Sequence, residues 1–341
     1  MLKIFIAILV SLPFFLYVPN EMFDLFRHYE RYNIYLYTGD DKYLAEYVGL
    51  SFLMRLMSVG ELNAEFMAFF SSFFLVLAIF GIGTYSASTN KLSLSKVLTC
   101  FLPFLAFQFF PLISGVRFAL AISFFVFGVL QHYKKGFFSK LYMMLSVFFH
   151  AGMITMVIVF YLSKLIRVKN LMNRLAVIFV AIISAIIISV YVSNISVFLA
   201  YLGIDKLTGI NVGEYLSGTY GLGAQNNLPE TGKISFFIAK ITTYIGILSF
   251  SICNSAQTEN DRFVFLASVF LTLTSTLVVI SGRFESLVIC FMLIPVIMNL
   301  QRTGRLHLYE LILIGAVAVR FSLDFWMFRH EFFSIYIGPF V

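Results

Sequence analysis

Charge is scarce in this chain. Asp, Glu, Lys and Arg make up 12% of its 341 residues, whereas a soluble domain carries about a quarter. An ordinary water-soluble fold is thereby excluded. Cysteine is nearly absent: Cys100, Cys253 and Cys290 lie within or at the ends of apolar stretches, at separations that suit neither a disulfide framework nor a zinc site. Walker A, HExxH, GxSxG and paired DxD motifs are missing as well, which removes support for ATP-driven transport and for zinc-protease chemistry. No metal site and no cofactor are expected. The formal net charge is +7, but the lysines and arginines sit in short stretches between apolar runs. That pattern orients membrane proteins and does not imply a nucleic-acid partner.

What the chain has in abundance is apolar surface: 60% of its residues are hydrophobic and its mean hydropathy is +0.92. Many runs reach the ~20 residues that cross a bilayer as helix. The expectation is an all-α, polytopic integral membrane protein in one domain over 1–341, with about 9–10 transmembrane helices plus a re-entrant element. Expected spans cover 2–18, 66–85, 97–113, 116–133, 175–192, 234–253, 263–280, 284–300 and 308–328. Lys3 and the apolar run after it resemble a signal peptide, but no small-residue cleavage pattern follows Pro19, so an uncleaved span is expected.

Segment 141–162 decides the orientation. If it crosses, Lys164, Arg167, Lys169 and Arg174 fall outside, against the positive-inside rule. If it enters, turns at His150-Ala151-Gly152 and returns, they stay inside. On that reading two polar regions face outward: 20–65, which includes an interfacial helix with Leu50, Leu53, Met54 and Met57 at helical spacing, and the large loop 194–233. The tyrosines of the first region (29, 32, 35, 37, 43 and 47) read as an interfacial belt or as stacking platforms for sugar rings.

Two arginines then stand out. Arg117 follows Ser114-Gly115-Val116, and Arg283 follows Ser281-Gly282, so each is expected to open a helix from an outer turn. Free N–H groups at a helix start favour an anion, and a guanidinium adds a planar fork for phosphate oxygens. Two such sites suit a pyrophosphate. The plainer alternative is snorkelling to headgroups or pairing with a carboxylate. His150 reads as a helix-break cap, as a substrate hydrogen-bonding group or as a general base. The acids Asp24, Glu30, Glu46, Glu214 and Glu285 read as solvated charge or as a base, and Arg320 and Asp324, spaced i, i+4, are expected to pair.

Arg117-Phe118-Ala119-Leu120-Ala121, the Tyr133-Lys134-Lys135 turn and Phe149-His150-Ala151 together resemble the EpsG-like family of bacterial polysaccharide polymerases, related in role to the Wzy O-antigen polymerases. The stretch from Asp24 to Tyr32, Glu46-Tyr47-Val48-Gly49-Leu50, Gly282-Arg283-Phe284 through Pro295, and Gly338-Pro339-Phe340 agree more loosely. Two departures stand out: no Gly-Thr-Asp precedes the tyrosines, and Val48 replaces a common proline. The resemblance implies a GT-C-like fold and a metal-independent, inverting glycosyltransferase in the bacterial plasma membrane, with its active site facing outside. It would move a growing glycan from undecaprenyl pyrophosphate onto a new lipid-linked repeat unit, for O-antigen, capsule or exopolysaccharide. Arg117 and Arg283 would bind the departing pyrophosphate, Glu46 or Asp24 would be the base, and His150 would orient substrate. Sugar contacts would come from 194–233 and the first outer region. Its partners would be undecaprenyl-pyrophosphate-linked oligosaccharides, the lipid bilayer and a chain-length regulator protein. A lipid-linked oligosaccharide flippase or other transporter, and a membrane O-acyltransferase, are the rival readings. Against them stand the absence of inverted-repeat symmetry and of a histidine before His28.

Overall fold

Proline and polar residues set where the first helices stop. The structure, a computed structural model, describes residues 2–17, 19, 21, 24–44, 48–86, 102–107, 115–201, 230–254, 258–276 and 278–336. Helix α1, Leu2–Ser11, gives way at Pro13 to one 3-10 turn, Leu12–Phe15, because proline lacks the N–H that would continue the α-helix. There follow α2, Asp24–Thr38, α3, Val48–Val59, and α4, Glu65–Ser86. Next come α5, Val116–Tyr133, α6, Ser139–Phe149, and α7, Met153–Leu165. The chain continues through α8, Leu171–Tyr201, α9, Glu230–Cys253, α10, Glu259–Leu273, α11, Val278–Thr303, and α12, Leu308–Tyr336.

Six of these are long and apolar enough to cross a membrane: α4, α5, α8 over Leu171–Tyr191, α9 over Ile234–Cys253, α11 over Phe284–Thr303 and α12 over Leu308–His330. The protein is thus all-α among the described residues and polytopic. Of the span expected at 97–113, the described residues hold 102–107, helical over 102–106. The one expected at 263–280 is α10, which ends at Leu273 and at 15 residues is ~22 Å long, short of a ~30 Å hydrocarbon core. The expected loop 194–233 is shortened from both sides by α8 and α9, and 202–229 lie outside the described residues.

The chain divides into two compact units, 1–158 with 324–341, and 159–323. The divisions fall inside α7 and near a kink of α12 at Phe328, whose φ of −107° and ψ of 19° leave the helical region. No polar linker marks either, so composition gave no sign of them.

In the first unit α5 packs along both α4 and α6, and α1 along α4. Hydroxyls buried in α4 bond back to their own helix, Ser71 to the Ala68 carbonyl and Ser86 to the Ile82 carbonyl, which satisfies them where water is absent. The polar region between α1 and α4 folds inward. Tyr29 and Tyr32 of α2, and Leu50, Met54 and Met57 of α3, join Val116, Leu120 and Ile335 in one core. The interfacial helix expected here is α3. Its buried stripe serves the protein core, while Val48, Phe52, Leu56 and Val59 remain exposed.

In the second unit α10 is central and packs against α8, α9 and α11. Thr258 and Asp261 close its first turn as a capping box, satisfying N–H groups that would otherwise be orphaned.

Candidate functional site

Helix α2 is amphipathic in an unusual sense. Asp24, Arg27, His28 and Arg31 recur at i, i+3, i+4 and i+7 and so share one face. Asp24 and Arg27 form an ion pair on the partly exposed side of this face, while His28 is 5% exposed. Its Nδ1 is buried with no hydrogen-bond partner among the described residues. Burial holds the imidazole pKa down to about 4. Arg117 lowers it next, Asp24 raises it, and Arg31 and Arg27 lower it further. The first helix turn of α5, where Arg117 lies half-buried, is therefore within electrostatic reach of this face. Gly115, ahead of α5, offers no side-chain cap.

One residue further along α2, the hydroxyl of Tyr29 is also buried without a partner. Burial, with Glu65 and Tyr17 nearby, pushes its pKa well up. Tyr32 donates to the Leu62 carbonyl at 2.7 Å. These two rings are core, which corrects the belt and platform readings for them; Tyr37, at 91% exposure, stays open to either.

His150 ends α6 in an extended conformation, and α7 begins three residues later. The break is at the residues where the charge pattern places a turn. The Gly152 N–H donates to His150 Nδ1 at 3.2 Å, so in the neutral ring the proton is on Nε2, a donor. The ring meets Phe118 edge-on at 5.2 Å, next in sequence to Arg117. At the break the imidazole thus accepts from a backbone N–H, where a bond to a carbonyl was the plainer expectation.

The first unit therefore brings together Asp24 and Arg117 around His28, and places His150 beside Phe118. Glu46 lies outside the described residues. Arg283 belongs to the second unit and sits on the second turn of α11, not after a turn. That helix starts at Val278 and runs through Ser281-Gly282, so the expected outer turn gives way to one over 274–276.

The second unit holds charges within its spans. Glu285 and Arg320 pair at 3.3 Å with side chains 6% and 3% exposed, and Arg320 Nη2 also donates to Ser286 Oγ at 3.1 Å. Arg320 therefore reaches across to α11. Lys240 of α9 donates to the Ser275 carbonyl at 2.8 Å and to Ser281 Oγ at 3.4 Å. Tyr244 donates to the Leu271 carbonyl at 3.0 Å. Among the described residues, no three His, Cys, Asp or Glu side chains gather as a metal site.

Sequence reasoning missed His28, Arg27 and Arg31 as a set, although the 24/27/28/31 spacing was legible. It also missed Lys240, a cation standing alone inside an apolar run. No protein-family model matches the chain, and no curated protein and no solved structure gives a significant match.

Proposed function

We propose that this chain is an oligosaccharide repeat unit polymerase of the EpsG-like type, a GT-C-like glycosyltransferase at the outer face of a bacterial plasma membrane. The observation that carries the reading is the gathering of Arg117 with the arginine-bearing face of α2 around buried His28. It accords with the resemblance of Arg117-Phe118-Ala119-Leu120-Ala121 and Phe149-His150-Ala151, which lie on the same unit.

In the proposed reaction a sugar hydroxyl of the lipid-linked acceptor attacks the anomeric carbon of the donor glycan with inversion. The bond from that carbon to the pyrophosphate oxygen breaks, and undecaprenyl pyrophosphate leaves. The hydroxyl proton passes to Asp24 or Glu46. Arg117, with Arg27 and Arg31, offsets the charge developing on the pyrophosphate, where loss of a single donor costs roughly 10²–10³ in rate. His150 Nε2 donates to the substrate, held by its cap on Gly152 at a break that re-enters the membrane. Backbone at such a break is tolerated only where protein or water surrounds it.

Transport has one observation in its favour: Glu285 and Arg320 are buried and Lys240 half-buried within apolar helices, and intramembrane charges often line a substrate path. One experiment separates the two. In the native bacterium, Arg117→Ala at unchanged protein level should abolish long-chain polymer and leave single-repeat glycan at the surface. Loss of all surface glycan, with lipid-linked units retained on the cytoplasmic face, would make the chain a transporter instead.

A further inference from the structure

His28 is set where an imidazole has little reason to be. Its side chain is almost wholly buried, and Nδ1 neither gives nor receives a hydrogen bond among the described residues. Leaving a buried polar atom unpaired costs about 1–3 kcal/mol. Buried waters relieve such a cost in many proteins, and apolar replacement relieves it more simply. Neither explains why a buried, orphaned nitrogen belongs to a ring within electrostatic reach of arginines on two helices. The charges acting on it are Asp24, Arg27 and Arg31 from α2 and Arg117 from α5. At the ring the arginines act against protonation and Asp24 for it, with Arg117 the strongest of the four. A phosphate-type dianion brought into the same surroundings reverses the sign of that field. It also supplies the acceptor that Nδ1 lacks once it is protonated.

We propose that His28 is a contact residue for a phosphoryl group bound at Arg117, and that the imidazole takes a proton from solvent when the anion arrives and donates it in a hydrogen bond to a phosphoryl oxygen. No covalent bond changes. The proton moves from water to Nδ1 on binding and returns on release. Affinity for the anion then rises as pH falls, by up to tenfold per unit while the empty site is neutral and the filled site charged. The inference deepens the polymerase reading by giving its pyrophosphate site a proton-linked member, but its test needs no glycan.

The probe is inorganic sulfate, a dianion that does not itself titrate near neutral pH, so any proton taken up comes to the protein. The full chain in lipid nanodiscs is titrated with sulfate at pH 6 by calorimetry in buffers of different ionisation enthalpy. Uptake approaching one proton per sulfate is expected for the wild type, almost none for His28→Asn, and weakened binding for Arg117→Lys. Saturable binding without proton uptake in the wild type overturns the inference, as does no saturable binding at all. Equal uptake in a folded His28→Asn does the same, with His28→Gln in its place if the first variant melts early. Farnesyl pyrophosphate and inorganic pyrophosphate as competitors separate the sources. Displacement of sulfate at least ~10-fold lower with the prenyl form supports a lipid-borne group, and equal displacement supports the free anion. If sulfate binds with proton uptake while Arg117→Ala leaves polymer length unchanged, the polymerase reading fails and this one stands. If polymer is lost without any proton uptake, the reverse holds.

Discussion

Gly49 of α3 lies directly against the backbone that closes α6. A methyl group on its α-carbon would stand 2.7 Å from the Phe148 carbonyl oxygen and 2.7 Å from the Phe149 α-carbon. Contacts that short are not made between real atoms, so only glycine permits this approach. The next residue along α6 is His150, and the helix break is thereby braced from the side by α3.

Gly49→Ala should destabilise the protein by about 1–3 kcal/mol, the range for overpacking a tight contact. Its melting temperature in nanodiscs should fall, while Val48→Ala, at an exposed position, should change little. A Gly49→Ala protein that melts with the wild type would show that α3 and α6 are not this close.

Gly282→Ala should act in the opposite sense. Gly282 lies inside α11, and nothing stands within 4 Å of an added Cβ. Alanine is favoured over glycine in a helix by about 1 kcal/mol, so the variant should melt at or above the wild-type temperature. A clear loss would restore the turn at Ser281-Gly282-Arg283 that the sequence suggested.

Breaking the Glu285–Arg320 pair should cost more than removing it. Glu285→Gln leaves a buried guanidinium without its counter-charge, a change that costs about 3–5 kcal/mol in comparable buried pairs. The double variant Glu285→Met/Arg320→Met should regain much of that stability. Thermal unfolding of the wild type and the two variants checks the order, and a double variant weaker than Glu285→Gln would contradict it.

The buried imidazole of His28 makes stability depend on pH in a defined window. Unfolded, it protonates near 6.5; folded and empty, near 4. Between those values the unfolded chain binds the extra proton, so its contribution is intact above 6.5 and is lost as pH falls to 4. The loss totals about 3 kcal/mol and does not grow further below. His28→Asn should flatten the melting temperature over this window. A wild-type profile as flat as the variant's would mean that the ring is not held neutral.

Much of the helical framework was open to reading from residues alone, because a span is a local property. The run 116–133 coincides with α5, and 66–85 with α4 to within a residue at each end. A turn at His150-Ala151-Gly152 was expected from the cations Lys164, Arg167, Lys169 and Arg174, and α6 and α7 do part there. What stayed hidden depends on contacts distant in sequence. Arg320 pairs with Glu285, 35 positions back, a partner to which no local spacing points. Ser281-Gly282 reads as a turn by composition, but a glycine inside a packed apolar helix carries the same letters. The inward fold of α2 escaped notice for a related reason. Its helical face mixes arginine with tyrosine, and hydropathy alone cannot tell a solvated charge from one held against a buried histidine.

The buried charges of the second unit also bear on how the protein is made. An Arg or Lys at the centre of a span costs about 3 kcal/mol when that helix enters the bilayer alone. Lys240 finds its two acceptors only at Ser275 and Ser281, on chain that emerges from the ribosome after α9 is complete. Arg320 needs Glu285 on the preceding helix. Membrane insertion should therefore have an order of dependence, with α9 settled only once Ser275 and Ser281 have arrived and α12 only once Glu285 is in place. Chains truncated after Cys253 should be poorly retained in the membrane, and chains extended to Thr303 should anchor α9. The ion pair that looks like a finished structural fastening is, during synthesis, a condition for release into lipid.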